Sequence, residues 1–555
     1  MISENAEIAI FICRCNREIE SISFEKLEEY IRDLVGTSII YFFDELCGNP
    51  AAIRENLRGR NFKGVVLTGC SLHRETFIDM VESAGLNPLS LEVIPARELF
   101  LKIPGEYSAH ATLKLALMIR SVFEKMKRMW LVREVKPRRI KTQSKISRRS
   151  LLRALPQALT IYEPTPVILR EKCIGTSACS FCINTCPRKV LSSGGDSGPN
   201  LDYEHCSICG VCVAVCPTGA IQIPNSTDEQ MDTQVSSILM DYGDGLRPKT
   251  IMYIDSSDYH FLLSRYSEKG LSLPLEVFPI ELPTLGLISE NILLSPIVYG
   301  AAGVVIPVLR SESKLDYLHI LYQKTSAAKN ILKSVGLDPN RIILVEFRED
   351  DLEFLLRKLN EFRPGIKVEQ LEKPIAKKFA EDRRIRLVSI VKSLLDCRKP
   401  TPEFIDYGEP CPFGEVTIDV EKCTLCELCY NKCPMKAFTI VGELDMIHLG
   451  FIYQRCVGCN LCGSICPENA ITLKRYLSIS RLVDEHPKIL VSQELVKCSR
   501  CGKPFTTRGK LKKIERIYEG IGVSDVDRLQ SLRLCSECRK AKLVPAEYDK
   551  WFIYR

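Results

Sequence analysis

The sequence predicts a multidomain chain of α/β plus α+β class. It would contain two α/β sheet domains, two small cysteine-bearing domains and a compact tail knotted by metal. Three observations carry this. Apolar strand-like runs alternate with helical periodicity over residues 1–130 and 249–396. Cysteines recur at x2, x2 and x3 spacing in three series and at x5, x2 and x3 in a fourth, each series closing on Cys-Pro, in two separate regions. Two further Cys-x2-Cys pairs stand near the end.

With 555 residues the chain has room for about three to five units of ordinary size. Its 45% hydrophobic content supports ordinary soluble cores. Twenty-six cysteines would suggest a disulfide framework in a small secreted protein. Here they are grouped at metal-ligand spacing in a long chain, which fits a reducing, cytoplasmic setting. The opening Met1-Ile2-Ser3-Glu4 carries acid where a targeting segment carries base, so no signal peptide is expected. The pair Arg148-Arg149 resembles an export motif but lies far inside the chain without a following apolar segment. The uncharged run Ile292–Leu309 approaches bilayer length. Pro296, Gly300, Gly303 and Pro307 break it, so it reads as a helix or turn followed by a buried strand.

Residues 1–130 begin with the strand Ile8–Ile12. Further strands are expected at Ile39–Phe43, Gly64–Thr68 and Leu89–Ile94, with helices near 49–57, 74–83 and 107–130. Cys13, Cys47 and Cys70 fall at or near strand ends, where open α/β sheets place ligands, and Cys15 lies two residues past Cys13. From the residues alone, a metal site and a set of buried small hydrophobes both fit. His73 reads as a helix-surface residue. Residues 131–165 form a basic linker containing Arg138, Arg139, Lys141, Lys145, Arg148 and Arg149. Nucleic acid could use such a run, but no binding module accompanies it. An arm over an acidic partner or a solvated linker fits equally.

Residues 166–225 contain Cys173-x5-Cys179-x2-Cys182-x3-Cys186-Pro187 and Cys206-x2-Cys209-x2-Cys212-x3-Cys216-Pro217. Residues 397–480 contain Cys423-x2-Cys426-x2-Cys429-x3-Cys433-Pro434 and Cys456-x2-Cys459-x2-Cys462-x3-Cys466-Pro467. Paired series of this kind are the ligand pattern of a bacterial-type two-cluster ferredoxin. Three thiolates cap one [4Fe-4S] cubane and the fourth crosses to its neighbour. The expected sets are therefore Cys173, Cys179, Cys182 and Cys216; Cys206, Cys209, Cys212 and Cys186; Cys423, Cys426, Cys429 and Cys466; and Cys456, Cys459, Cys462 and Cys433. Structural zinc is the alternative, but two matched eight-cysteine repeats are hard to obtain for another purpose.

The polar stretch 226–248 reads as a flexible link. Residues 249–396 have an α/β rhythm, with strands at Ile251–Ile254, Leu275–Phe278, Gly303–Ile306 and Ile342–Val345 and a helix near 314–335. Cys397 and Cys411 are left over as free thiols. In the tail, 481–555, Cys498-x2-Cys501 and Cys535-x2-Cys538 make a tetrahedral, zinc-ribbon-like site for one Zn2+. A further iron site or unmetallated thiols are the alternatives. Arg508, Lys510, Lys512 and Lys513 would decorate that module. No phosphate loop, paired catalytic carboxylates or nucleophile triad is legible, so no catalytic residues are assigned.

Two resemblances add to this reading. Phe11-Ile12-Cys13-Arg14-Cys15-Asn16, Cys47-Gly48, Thr68-Gly69-Cys70-Ser71 and Ala84-Gly85-Leu86-Asn87-Pro88 resemble the amino-terminal domain of the A-type subunit of heterodisulfide reductase. That resemblance implies a fifth [4Fe-4S] cluster on Cys13, Cys15, Cys47 and Cys70. The family continues into a flavin domain with a glycine-rich fingerprint. None is found here, so no flavin is expected on this chain. Tyr299-Gly300-Ala301-Ala302-Gly303-Val304-Val305, a long helix and Gly336-Leu337-Asp338-Pro339-Asn340-Arg341-Ile342 resemble the delta (iron-sulfur) subunit of F420-non-reducing hydrogenase. The family's [2Fe-2S] ligand positions are filled here by residues such as Ser256, Ser257 and Pro283, which implies a domain without its cluster, kept for docking or spacing.

The expectation is a multicluster iron-sulfur electron-transfer subunit of a cytoplasmic redox complex in anaerobic metabolism. Its partners would be heterodisulfide-reductase-like, hydrogenase or dehydrogenase subunits, through which alone it would meet a membrane. An oxidoreductase with its own site at the amino-terminal cluster or a borrowed flavin is one alternative. A structural or nucleic-acid-associated iron-sulfur and zinc protein is another.

Overall fold

The computed structural model describes residues 7–37, 39–128, 138–141, 160–240, 246, 248–311, 314–362, 382–395, 404–443, 445–521 and 530–543. They form two compact units. One contains Met1–Cys173 and Phe181–Pro402, the other Ile174–Ser180 and Glu403–Arg555.

The first unit opens on a four-stranded parallel sheet. β1 (Glu7–Cys13), β2 (Ile40–Phe43), β3 (Phe62–Thr68) and β4 (Leu91–Ile94) take the order β2-β1-β3-β4. From Ile8 to Cys13 every residue of β1 is buried, as expected of a central parallel strand covered on both faces. The helix α1 (Phe24–Val35) turns Leu27, Ile31 and Val35 inward and stops at Gly36, whose φ of 67° suits the left-handed cap. It packs on α2 (Ser108–Met126), which buries the expected Leu115, Ile119, Val122 and Met126. The helical periodicity over 107–130 predicts one face of Leu115, Ile119, Val122, Met126 and Trp130, of which Trp130 lies outside the described residues. Because β2 and β3 lie on opposite sides of β1, the sheet has a topological switch point between β1 and β3, where a crevice opens at the carboxyl ends.

The stretch read as a flexible link departs from expectation. It carries α3 (Asp228–Leu239), opened by a full capping box between Thr227 and Gln230 and packed against α2. Its inward face includes polar Asp228, Gln230 and Gln234, which hides the helix from a purely apolar reading. Within the basic linker, Arg138–Lys141 pairs antiparallel with Thr160–Glu163. Lys145, Arg148, Arg149 and Cys397 lie outside the described residues.

A second parallel sheet repeats the topology of the first. β5 (Thr250–Asp255), β6 (Val277–Leu282), β7 (Gly303–Leu309) and β8 (Ile342–Phe347) take the order β6-β5-β7-β8. β6 runs past the expected end at Phe278 because it is an edge strand and tolerates Pro279. The uncharged run Ile292–Leu309 resolves into α4 (Glu290–Val298), a turn at Gly300 and β7, all within the domain core. Among the described residues, no helix is long and apolar enough to cross a membrane. The sheet is flanked by α5 (Leu315–Ser334) and α6 (Arg383–Leu395), the former packing on β8 and the latter on α4.

In the second unit, β9 (Phe438–Glu443), β10 (Met446–Phe451), β11 (Lys488–Lys497) and β12 (Pro504–Thr507) form one antiparallel sheet in chain order. The sheet runs through the expected boundary at residue 480, so the tail is continuous with the cysteine-rich core. A short antiparallel pair, Glu415–Ile418 with Ile471–Lys474, has a counterpart in the first unit, Val167–Ile168 with Ile221–Gln222. The helix α7 (Arg508–Gly520) follows β12.

Candidate iron-sulfur and metal centres

The second cysteine-rich core gives the clearest geometry. Cys423, Cys426 and Cys429 wind around one cavity, and the fourth cysteine in its wall is Cys466. Cys456, Cys459 and Cys462 surround another, whose fourth cysteine is Cys433. Ile418, Leu425, Leu449 and Ile471 line the first; Val416, Phe438, Phe451 and Leu473 line the second. The chain also supplies the amides such sulfurs need. Leu425 N donates to Cys423 Sγ at 3.4 Å, Gly458 N to Cys456 Sγ at 3.4 Å, Ala437 N to Cys433 Sγ at 3.3 Å and Ala470 N to Cys466 Sγ at 3.4 Å. Residues 425 and 458 take left-handed φ values of 54° and 66°, which curls each loop back over its first sulfur. Burial pushes the Cys429 thiol up to about 12, so four thiolates in these apolar pockets require a compensating cationic centre. The donor set, the cavity walls and the amides fit a [4Fe-4S] group.

The first core repeats the pattern. Ile208 N donates to Cys206 Sγ at 3.4 Å, and Ile208 has φ 54°. The Cys212 thiol is driven well up by burial, then by the neighbouring sulfurs of Cys209, Cys206, Cys182 and Cys186. Cys182 and Cys186 of the other series thus both stand near Cys212, and this core brings its two cysteine series together. Cys173, Cys182 and Cys216 belong to the same unit; Cys179 lies on Ile174–Ser180, which groups with the other.

Two elements of the second sheet domain grip this core. Thr284 Oγ1 donates to the Cys209 carbonyl at 3.3 Å, and a Cβ placed on Gly286 would fall 1.9 Å from that oxygen. Gly210 (φ 77°) faces the same turn: its Cβ would lie 2.6 Å from Leu287 N. We therefore expect Gly286→Ala to force the cysteine loop open and to lose one cubane's iron from the isolated protein, measured as iron and acid-labile sulfide per chain. On the other flank, Arg383 of α6 pairs with both oxygens of Asp228 at 2.8 Å and donates to the Cys216 carbonyl at 2.9 Å. Both members are buried, so Arg383→Ala should destabilise this unit by about 3–5 kcal/mol, read as a lowered denaturation midpoint.

The switch-point crevice of the second sheet is plugged. Asp258 accepts from Leu309 N at 3.2 Å and pairs with Lys314, and both side chains are buried. Ser257 Oγ donates to Asp255 at 2.8 Å. The turn after β6 is the one seated on Cys209. Ser256 Oγ donates to Glu281 at 2.5 Å, so both serines after β5 are engaged by carboxylates of this domain.

In the first sheet the same crevice holds thiols. Cys13 closes β1, Cys47 follows β2 and Cys70 follows β3. Cys13 Sγ accepts from Cys15 N at 3.4 Å and Leu46 N at 3.3 Å, and lies 3.7 Å from Cys15 Sγ. The Cys15 thiol hydrogen bond, with these amides, holds Cys13 down to about 6. Burial and then Glu98 push Cys70 up to about 12, with Cys47 and Cys13 adding to the effect. Glu98, buried, accepts from Ser71 N and Ser71 Oγ, both at 2.8 Å, and so fixes the turn after Cys70. His73 is exposed at the end of a 3-10 turn, as expected of a helix-surface residue, and its ring nitrogen and the sulfurs of Cys47 and Cys70 all lie within 4.8 Å of one another. The 3-10 turn Ser71–His73 brings it there. The legible signal was the Cys-x2-His step, equal in length to a Cys-x2-Cys step.

In the tail, the sulfurs of Cys498, Cys501, Cys535 and Cys538 lie within 4.8 Å of one another, with Cys501 and Cys535 3.7 Å apart. That spacing suits a single tetrahedral ion with bonds of about 2.3 Å. Among the described residues, no ferredoxin-pattern cysteine joins so tight a group, as expected where sulfurs must span four irons. Cys411 is buried, and its carbonyl lies against the Gly458 turn.

Residues 416–473 and residues 164–229 each match a family described as a 4Fe-4S dicluster domain. The protein therefore holds multiple [4Fe-4S] clusters. Its curated relatives include one of two iron-sulfur A-type subunits of CoB--CoM heterodisulfide reductase from Methanopyrus kandleri, 23% identical over 280 residues, 42% of this chain and 40% of that protein. Several of its relatives are heterodisulfide reductase A-type subunits. Another is the A-type subunit of the ferredoxin/F(420)H(2)-dependent CoB-CoM heterodisulfide reductase of Methanosarcina acetivorans, 26% identical over 201 residues, 32% of this chain and 24% of that protein. A shorter likeness, 35% identity over 63 residues, joins 11% of this chain to 61% of the PorD subunit of pyruvate synthase from Thermotoga maritima. The chain spans about two fifths of the length of the two Methanopyrus proteins it matches. A cubane with four protein ligands is coordinatively filled, so its chemistry is outer-sphere electron transfer, tuned by amides, burial and solvent exclusion.

Proposed function

We propose that this chain is a multicluster electron-transfer subunit of a cytoplasmic redox complex, heterodisulfide-reductase-like or linked to a hydrogenase or dehydrogenase. Four clusters sit on the ferredoxin-pattern sets read from the spacing, a fifth on the amino-terminal cysteines, and one Zn2+ on the ribbon-like tail. The observation that carries this reading is the pair of apolar cavities in residues 416–473, each walled by three cysteines of one series and one of the other. The second sheet domain acts as a spacer: its own crevice is filled by ion pairs, and it seats the Cys209 loop with Thr284 and Gly286. Arg74 ties it to the amino-terminal domain through Glu281 at 2.5 Å and His260 at 2.6 Å.

The test is anaerobic native purification at moderate salt, with mass-spectrometric identification of co-purifying proteins. Iron, sulfide and zinc are counted on the same sample. Redox partners and metal matching five cubanes and one zinc are expected. A chain without redox partners, or one recovered with nucleic acid, overturns the conduit reading.

A further inference from the structure

Asp232 of α3, Asn291 and Ser295 of α4, Tyr253 of β5 and Arg386 of α6 meet in one small polar cavity of the first unit. Two of its oxygens are unmatched. Asp232 Oδ1 and Asn291 Oδ1 are both buried without a hydrogen-bond partner among the described residues. Neither group is free to turn: Asn291 Nδ2 donates to the Arg383 carbonyl at 2.9 Å, and the Tyr299 hydroxyl donates to Asp232 Oδ2 at 2.9 Å. Burying an acceptor unmatched is costly. A proton on Asp232 supplies this cavity with a donor.

One helix ties the cavity to the first cysteine-rich core. Arg383 and Arg386 stand three residues apart on α6. Arg383 donates to the carbonyls of Val213 and Cys216 and pairs with Asp228, while Arg386 donates to the Asp228 carbonyl at 2.8 Å. Other charges nearby are already matched. Glu290 of α4 pairs with Lys324 of α5 at 2.9 Å, and Arg128, just past α2, pairs with Glu229 at 3.3 Å. The groups that act on Asp232 are therefore Arg386, Asp228 and the hydroxyls of Tyr299, Tyr253 and Ser295. Burial holds its carboxyl above the usual carboxylate range, and Arg386 and Tyr299 pull the other way.

We propose that Asp232 is a redox-linked proton site: its Oδ1 takes up one proton when the cubane held in part by Cys216 gains one electron, and releases it on reoxidation. This rests on the reading of Cys216 as a cluster ligand. The electron comes from the redox partner subunit and the proton from solvent. An O–H bond forms on Asp232, and no other bond changes. The added negative charge acts through a low-dielectric interior and favours the neutral carboxyl. By linkage, the proton raises the potential of the cluster in return.

The test is potentiometry of the full-length holoprotein at a series of acid to neutral pH values, following by EPR the signal that Cys216→Ala removes. Its midpoint should fall as pH rises, by up to about 59 mV per pH unit for a one-electron couple. Asp232→Asn should flatten that slope. Tyr299→Phe removes a donor to the carboxylate, so it should keep the slope and move it to higher pH. A wild-type midpoint independent of pH, or an Asp232→Asn protein with the wild-type slope, overturns the proposal. Where Asp232→Asn fails to hold its cluster, Tyr299→Phe decides: an unmoved slope overturns the proposal and a moved one supports it. If Cys216→Ala keeps every cluster signal, the underlying ligand reading fails instead.

Discussion

Cys466→Ala should remove the same cluster as Cys426→Ala, although 40 residues separate the two positions and Cys466 stands only four residues from Cys462. The cavity lined by Cys423, Cys426 and Cys429 receives Cys466, whereas Cys462 faces the cavity of Cys433. Anaerobic redox titration followed by EPR distinguishes the outcomes. Cys426→Ala and Cys466→Ala should lose one common signal, and Cys433→Ala and Cys459→Ala should lose the other. Each variant falls short by up to one cubane of iron per chain, or leaves a three-iron centre in its place. Should Cys466→Ala instead extinguish the Cys459 signal, each series would hold its own cluster and the crossover would be wrong.

The second large effect is expected in the tail. Cys535→Ser breaks the tetrahedral set and should abolish zinc binding, for which thiolate sites of this kind gain about 10–16 kcal/mol of apparent binding free energy in small metal-folded domains. The loss should reach the neighbouring cluster. Gln493 on β11 donates to the Cys423 carbonyl at 2.6 Å, and Gly509 N in turn donates to Gln493 at 3.2 Å. Thr507, the cap of α7, donates through its hydroxyl to the Thr424 carbonyl at 2.8 Å. Lys510 pairs with Glu427 at 3.7 Å. These contacts hold the amino end of α7 and its cations beside the Cys423–Cys429 loop, which favours the more negative reduced cluster. Zinc-free protein should therefore show rapid proteolysis after residue 497 and a lowered midpoint for the Cys423 cluster, with the Cys456 cluster moved far less. Limited proteolysis and potentiometry on one sample check both. An unchanged midpoint after proven zinc loss would mean that β11 and α7 hold their places without the metal.

These expectations show how unevenly information is distributed along the chain. The cysteine series are local: three cysteines within seven residues, ten in the Cys173 series, and a fourth followed by proline constrain a turn that few other purposes need. The paired Cys-x2-Cys steps of the tail are local in the same way, and so are the apolar strands of both sheets. The helix Asp228–Leu239 escapes a sequence reading because its inward face spends polar residues on buried partners: Asp228 on Arg383 and Gln222, Gln230 on Thr227. The capping box was its only local signature.

By itself, then, the sequence determined the class of cofactor and the succession of sheet and cysteine-rich regions, because each is written in short-range spacing. Tertiary structure alone decided three matters. It turned the His73 ring onto Cys47 and Cys70, a placement fixed by the turn after β3 and the buried Glu98. It filled the second sheet's crevice with the Asp258–Lys314 pair and set that domain's turn on the Cys209 loop. It extended one antiparallel sheet from the cysteine-rich core into the tail. In each case the partners lie tens of residues apart or more, and their meeting depends on how strands and helices pack rather than on any local pattern.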